Sequence, residues 1–317
     1  MANIWYIQVN RYCNNQCHFC SNPSNWKNIS YKRWIELIDD FIKREYHWII
    51  FTGWEPTLSP DLVKWIKYAN KKWINCRIIS NWMQCANENY VKDLKNAWLE
   101  LIHFSLYSYI EKIHDFLTDT PWSYKKILKA IQNSLKQWIE VQLNCVINKY
   151  NQDHLDKTVK FVVKYFPQIR HFVWNNLDPQ MMRQTDIALS TLPDFEKASK
   201  VLLRWLKFLE GSWRTFRVER LPLCYMRWFE FASTETRKIV KDEERIVHFL
   251  DFRESFREQD WEHERWEECN SCDLRWICAW LYEKEIYYNY VKLIAQKVSR
   301  EEKEKIIKKI KWNYEKI

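Results

Sequence analysis

Three cysteines fall within eight residues near the start of the chain: Cys13, Cys17 and Cys20, in "CNNQCHFC". A CxxxCxxC loop can bring three thiolates to one metal centre, and soft sulfur ligands favour iron–sulfur clusters or zinc. A closed structural zinc site takes four ligands. No fourth cysteine lies nearby, and His18 sits inside the loop, where the geometry for ligation is poor. Three thiolates on a four-iron cluster leave one iron open to a small ligand, so the loop reads as an open cluster ahead of structural zinc. A second set, Cys269, Cys272 and Cys278 in "CNSCDLRWIC", can take Cys224 of "LPLCYMRW" as its fourth member. Four thiolates close a cluster or a zinc site, and such a metal would organise a segment with little periodic pattern. Cys76 and Cys145 lie in strand-like runs and read as buried thiols, while Cys85 follows a strand end near the expected ligand edge and reads as a core or surface thiol. The histidines show no ligand spacing.

The elements that must carry these loops alternate. Strand-like runs at 4–9, 48–52, 74–79, 100–106, 139–147 and 169–174 are separated by helical patterns near 31–45, 60–72, 87–97, 119–137 and 151–165. Ile127, Leu128, Ile131 and Leu135 show the helical spacing. Strand–helix alternation predicts right-handed βαβ units on a parallel sheet, with ligands at the carboxyl ends of the strands. A further helix over about 191–210 leads to Gly211. The pattern then changes to a strand-like "TFRVERLPLC", a charged, irregular cysteine region and a closing helix, so the expected domains are a core over 1–211 and a smaller cysteine-rich extension over 212–317.

Glycine is scarce. The chain has 317 residues with two glycines and twenty tryptophans, where average usage of about 7% would give roughly 22 glycines. Trp73, Trp98 and Trp138 each stand between a helical pattern and the next strand, a place that favours glycine because φ turns positive there. Trp122 follows a proline at a helix start. These positions suggest that most of the tryptophans are UGA codons that the source reads as glycine.

The stretch "FTGWEPT" follows the second strand. With position 54 read as glycine it becomes Gly-Gly-Glu. Together with CxxxCxΦC, whose aromatic place is filled by Phe19, this resembles the radical S-adenosylmethionine (SAM) enzymes. The resemblance covers residues 1–211 in order and spacing. It implies a six-stranded partial (βα) barrel of TIM type. Cys13, Cys17 and Cys20 would hold a 4Fe–4S cluster whose open iron chelates SAM. Gly53, position 54 and Glu55 would lie along the methionine, with Glu55 accepting from its ammonium, and Phe19 would lie near the adenine. Ser105 and Asn144, at later strand ends, would hold the ribose and carboxylate, with Ser80 and Asn81 weaker candidates. The implied chemistry is reductive cleavage to a 5′-deoxyadenosyl radical that abstracts hydrogen. Trp54 taken literally would obstruct the methionine.

The second cysteine set resembles the SPASM or twitch extensions that follow many such cores. The larger pattern has another cysteine where this chain has Tyr282, so one auxiliary cluster is expected, with zinc as the other reading. Such extensions go with peptide or protein substrates. Cofactor biosynthesis, tRNA or nucleotide modification, and a metal-stabilised binding or electron-transfer protein are the competing readings. A reductant such as flavodoxin or ferredoxin is the implied partner. Net charge of +9 and a lysine-rich final segment suit a solvated helix and leave a nucleic-acid contact open. No signal-peptide pattern or apolar run of membrane length is visible, and a cytoplasmic location is expected.

Overall fold

A computed structural model describes residues 4–20, 25–177, 190–243, 245–250, 254–257, 263–278, 281–282 and 291–312. All six expected strands form: β1 (Ile4–Gln8), β2 (Trp48–Thr52), β3 (Asn75–Ser80), β4 (Leu101–Ser105), β5 (Glu140–Ile147) and β6 (His171–Asn176). Between them lie α1 (Tyr31–Lys43), α2 (Leu62–Lys71), α3 (Glu88–Asn96), α4 (Glu111–Thr118), α5 (Ser123–Lys136) and α6 (Leu155–Tyr165). After α7 (Phe195–Gly211), β7 (Thr215–Glu219) pairs parallel to β6. α8 (Thr234–Lys241) is followed by β8 (Arg245–Phe249), which pairs parallel to β1, and by β9 (Glu254–Arg257), which pairs antiparallel to β8. The strand order is β7-β6-β5-β4-β3-β2-β1-β8-β9. The fold is an α/β partial barrel of TIM type.

Two parallel strands therefore lie beyond residue 211, and the chain's two compact units do not divide there. One unit comprises Met1–Leu106, Ile110–Leu143 and Glu244–Asp260; the other comprises Tyr107–Tyr109, Asn144–Glu243 and Trp261–Ile317. The short run "RIVHF" is flanked by charged residues, which hid β8 from a periodicity search.

α1 shows how sequence makes these units. Ser30 caps it by accepting from the Arg33 N–H at 3.2 Å. Its buried residues Trp34, Leu37, Ile38 and Phe41 recur at helical spacing. Trp34 stacks on Trp65 of α2 with ring centroids 5.6 Å apart and on Phe51 of β2 at 5.9 Å. These indoles are core side chains in regular elements.

Other tryptophans differ. Trp73, Trp98 and Trp138, the three expected at helix–strand junctions, have φ of 62°, 69° and 57°. Trp122, before α5, has φ of 66°. Trp54 is absent from this left-handed group.

Gly53 has φ of 124°. A β-carbon there would stand 2.6 Å from the Asn10 carbonyl oxygen. Backbone conformation and space both require glycine. Gly53→Ala is expected to lower stability by about 3 kcal/mol, measured by urea unfolding; an unchanged midpoint would contradict the close approach.

Candidate active site

The cysteine loop leaves β1 and is anchored twice. At its start, Val9 N–H donates to Thr52 O at 2.9 Å, continuing the β1–β2 ladder. At its middle, Gln16 N–H donates to Thr118 O at 3.0 Å and His18 N–H to Leu117 O at 3.2 Å. The carbonyls left over at the end of α4 thus hold the loop. Phe19 is buried, while Cys13, Cys17 and Cys20 are partly accessible. Burial, the nearby Glu55 and Cys20 push the Cys13 thiol up to about 12, against hydrogen bonds from Asn15 and Asn81.

Glu55 is fully buried. Asn10 fixes its backbone, accepting from Glu55 N–H at 3.2 Å and donating through Nδ2 to Glu55 O at 2.6 Å. Its carboxylate accepts from the Thr57 N–H at 3.0 Å, the Thr57 hydroxyl, the Ser80 hydroxyl at 2.8 Å and the Asn81 N–H. Burial raises its pKa and these hydrogen bonds oppose the rise. Every one of these donors is neutral, so the carboxylate's charge remains available to a cationic ligand.

Asn81 joins the two halves of the site. Its backbone N–H holds Glu55, while its Nδ2 donates to Cys13 Sγ at 3.1 Å and to Asn14 Oδ1 at 2.7 Å. Asn81 Oδ1 accepts from Met83 N–H at 3.1 Å, which sets the direction of the amide. Ser80 and Asn81, weak candidates from sequence, are integral to this network. Ser105 ends β4, half-buried. Asn144 lies in the other compact unit, where it accepts from Asn175 Nδ2. Cys85 is a buried thiol with a raised pKa, as Cys76 and Cys145 are.

Residues 7–162 match the Radical SAM superfamily. That stretch is a radical SAM domain. The cofactors of that family are a 4Fe–4S cluster and SAM. Among curated proteins the chain is 24% identical over 148 residues to AdoMet-dependent heme synthase of Oleidesulfovibrio alaskensis, covering 45% of this chain and 38% of that protein. It is 20% identical over 161 residues to PqqA peptide cyclase of Bradyrhizobium diazoefficiens, covering 50% and 42%. The chain therefore spans about two-fifths of these relatives' length. Among solved structures, Streptococcus suis SuiB bound to precursor peptide SuiA superposes with a TM-score of 0.60 at 15% identity, covering 78% of this chain and 57% of that one. Native anSMEcpe with bound AdoMet superposes with a TM-score of 0.57 at 17% identity, covering 68% and 64%. At these identities the likeness is one of fold.

The residues present fit a radical SAM centre. The donor set is three thiols, and Cys13 Sγ already accepts from Asn15 N–H at 3.3 Å and from Asn81. Hydrogen bonds to sulfur of this kind tune iron–sulfur clusters. Replacing a Gly53 hydrogen with a methyl group would close the approach to Asn10, so the chain passes Asn10 as bare backbone at that residue.

A second thiol set gathers in the other unit. Burial pushes Cys224 up to about 11, with further rises from Cys269 and Cys272 and a lowering from the Ile294 N–H. Cys278 Sγ accepts from Leu223 N–H at 3.3 Å and Cys272 Sγ from Gln296 N–H at 3.4 Å. Cys278 packs with Leu223, Leu274 and Ile277, against Cys272, Val298, Ile306 and Ile307. Among the described residues no three His, Cys, Asp or Glu side chains are arranged to hold a single metal ion.

Two outcomes follow from this geometry. Asn81→Ala removes the side-chain donor to Cys13 but keeps the N–H to Glu55. It is expected to weaken iron retention at the first site at least about tenfold, as loss of outer-shell partners does, read by chelator competition; unchanged retention would show that the amide does no work there. His114 of α4 is fully buried, and desolvation lowers its pKa from the usual 6.5 to about 3. Between these values the unfolded chain binds the proton and the folded chain does not, so stability falls as pH drops from 6.5 towards 3. His114→Phe should flatten that acid limb, measured by urea midpoints across the same range.

Proposed function

We propose that this chain is a radical SAM enzyme acting on a peptide or protein, with a first 4Fe–4S cluster on Cys13, Cys17 and Cys20 and an auxiliary one on Cys224, Cys269, Cys272 and Cys278. The observation that carries the reading is the Asn81 bridge, which ties a cluster thiol and the buried Glu55 carboxylate into one hydrogen-bonded unit. When bound, the cluster and SAM supply an electron and a 5′-deoxyadenosyl radical for hydrogen abstraction.

The chain's own residues bind and orient. Glu55 would accept from the ammonium of bound SAM. Gly53 and position 54 offer backbone along the methionine, with residue 54 read as glycine. Phe19 supplies an apolar face for the adenine, and Ser105 and Asn144 offer polar contacts at later strand ends. The double use of Asn81 links the thiol that would hold the cluster to the carboxylate that would meet the ammonium.

The peptide reading draws on the PqqA peptide cyclase relative and on the likeness in fold to SuiB, solved with its precursor peptide. A cofactor-biosynthesis reading draws on the heme synthase relative and on Fe-coproporphyrin III synthase of Methanosarcina barkeri, 28% identical over 154 residues. The auxiliary reading rests on three sulfurs, Cys224, Cys272 and Cys278, that accept backbone N–H groups, a tuning device for iron–sulfur centres. Among the described residues no helix is long and apolar enough to cross a membrane. A reductant of flavodoxin or ferredoxin type and a cytoplasmic location are our reading from the family resemblance.

Anaerobically reconstituted protein with glycine at position 54 should form 5′-deoxyadenosine from SAM and dithionite, and Cys17→Ala should abolish it. No product above that control would overturn the enzyme assignment. Iron content should drop by about half in Cys269→Ala/Cys272→Ala; zinc at that site, or an unchanged iron count, would refute the auxiliary cluster.

A further inference from the structure

Among the described residues, twelve other than glycine have positive φ, and eight of them are tryptophan. The remaining four are Glu45, Asp119, Arg220 and Asp242. The left-handed region costs an L-residue about 1–2 kcal/mol, and only Asn and Asp offset it readily with local hydrogen bonds. Tryptophan has no such means, so its dominance here needs a separate cause.

Four cases share one local geometry. Trp73, Trp98, Trp138 and Trp213 each follow the C-cap of a helix: α2, α3, α5 and α7. In each, the next residue's N–H reaches back to close the helix: Ile74 to Ala69 O at 3.1 Å, Leu99 to Leu94 O at 3.1 Å, Ile139 to Ser134 O at 3.1 Å and Arg214 to Leu209 O at 3.0 Å. The tryptophan N–H makes the inner bond, as from Trp73 to Asn70 O at 3.0 Å. This is the Schellman closure, whose left-handed position is usually glycine. The indoles gain nothing in return, being 90%, 75%, 88% and 91% exposed. Trp26, Trp122 and Trp228 are likewise left-handed and exposed.

We infer that the native polypeptide carries glycine at positions 26, 73, 98, 122, 138, 213 and 228, and that the codons there are UGA, read by the source organism as glycine. A docking surface of exposed indoles would explain the exposure but would place no demand on φ. The backbone conformation is what selects glycine over that reading. The inference divides the tryptophans by position. Trp34 and Trp65 are buried and stacked inside helices, where glycine would cost about 1 kcal/mol relative to alanine. They stay outside the inference. Trp82 combines a φ of 73° with a buried indole that donates to Ser123 O at 3.2 Å, so it too is left outside.

The inference is independent of the activity proposed above. Mass spectrometry of peptides from the native protein should show glycine at the seven positions, and the gene should read UGA at each. Tryptophan in the peptides spanning 73, 98, 138 and 213, or UGG codons there, would overturn it. Full-length chains with Trp73→Gly, Trp98→Gly, Trp138→Gly or Trp213→Gly should each gain about tenfold in folding equilibrium constant, from relief of left-handed strain. Equal or lower urea midpoints would also overturn it. As a control, Trp34→Gly should lower the midpoint, because it empties a packed site.

Discussion

A carboxylate buried to full exclusion of water must be met by donors, and Glu55 dictates how the first compact unit is assembled around that need. Its partners come from the ends of different strands. Asn10 follows β1, Thr57 follows β2, Ser80 ends β3 and Asn81 follows it. A parallel sheet brings those strand ends together at one edge, so satisfying the charge requires the correct strand order. Gly53 belongs to the same constraint. Only a residue without a β-carbon lets the β2 end approach Asn10 closely enough for the paired backbone–amide hydrogen bonds.

The cysteine loop inherits its position from this arrangement. It is suspended between the Asn81 amide on one side and the spent carbonyls of α4 on the other. α4 in turn is locked to α5 through Asp115, which accepts from Tyr124 N–H at 2.8 Å and from Trp122 N–H at 3.0 Å. The loop itself contains little regular structure, and its shape is set by the elements that surround it.

Much of this was legible in the sequence for identifiable reasons. Cysteine spacing is a local pattern, and the strand–helix alternation has a period, so the loop and the six strands could be read directly. Gly53 and Glu55 stood out because they lie close together after an apolar run. The hydrogen-bond network was not legible. Asn10, Thr57, Ser80 and Asn81 are short polar residues of ordinary abundance, and only the sheet order makes them neighbours. The strand-like run "TFRVERLPLC" forms β7, whereas β8 was missed because it lies among charged residues that blur a period of two. The gathering of Cys224 with Cys269 and Cys272 spans more than forty residues; spacing suggested it, and only folding brings it about. The helix–strand junction tryptophans were legible because a positive-φ position is fixed by what precedes and follows it, whichever side chain occupies it.

The second thiol set carries a consequence for the order of biogenesis. The N–H groups of Ile294 and Gln296, which cover Cys224 and Cys272, belong to a segment that also accepts Asp273 N–H at Gln296 O at 2.9 Å and takes the Tyr225 hydroxyl at Lys292 O. That segment is synthesised after all four cysteines. During translation the thiols therefore emerge before the residues whose N–H groups meet them. Until those residues dock, the sulfurs of Cys224 and Cys272 lack the backbone partners that meet them in the folded chain.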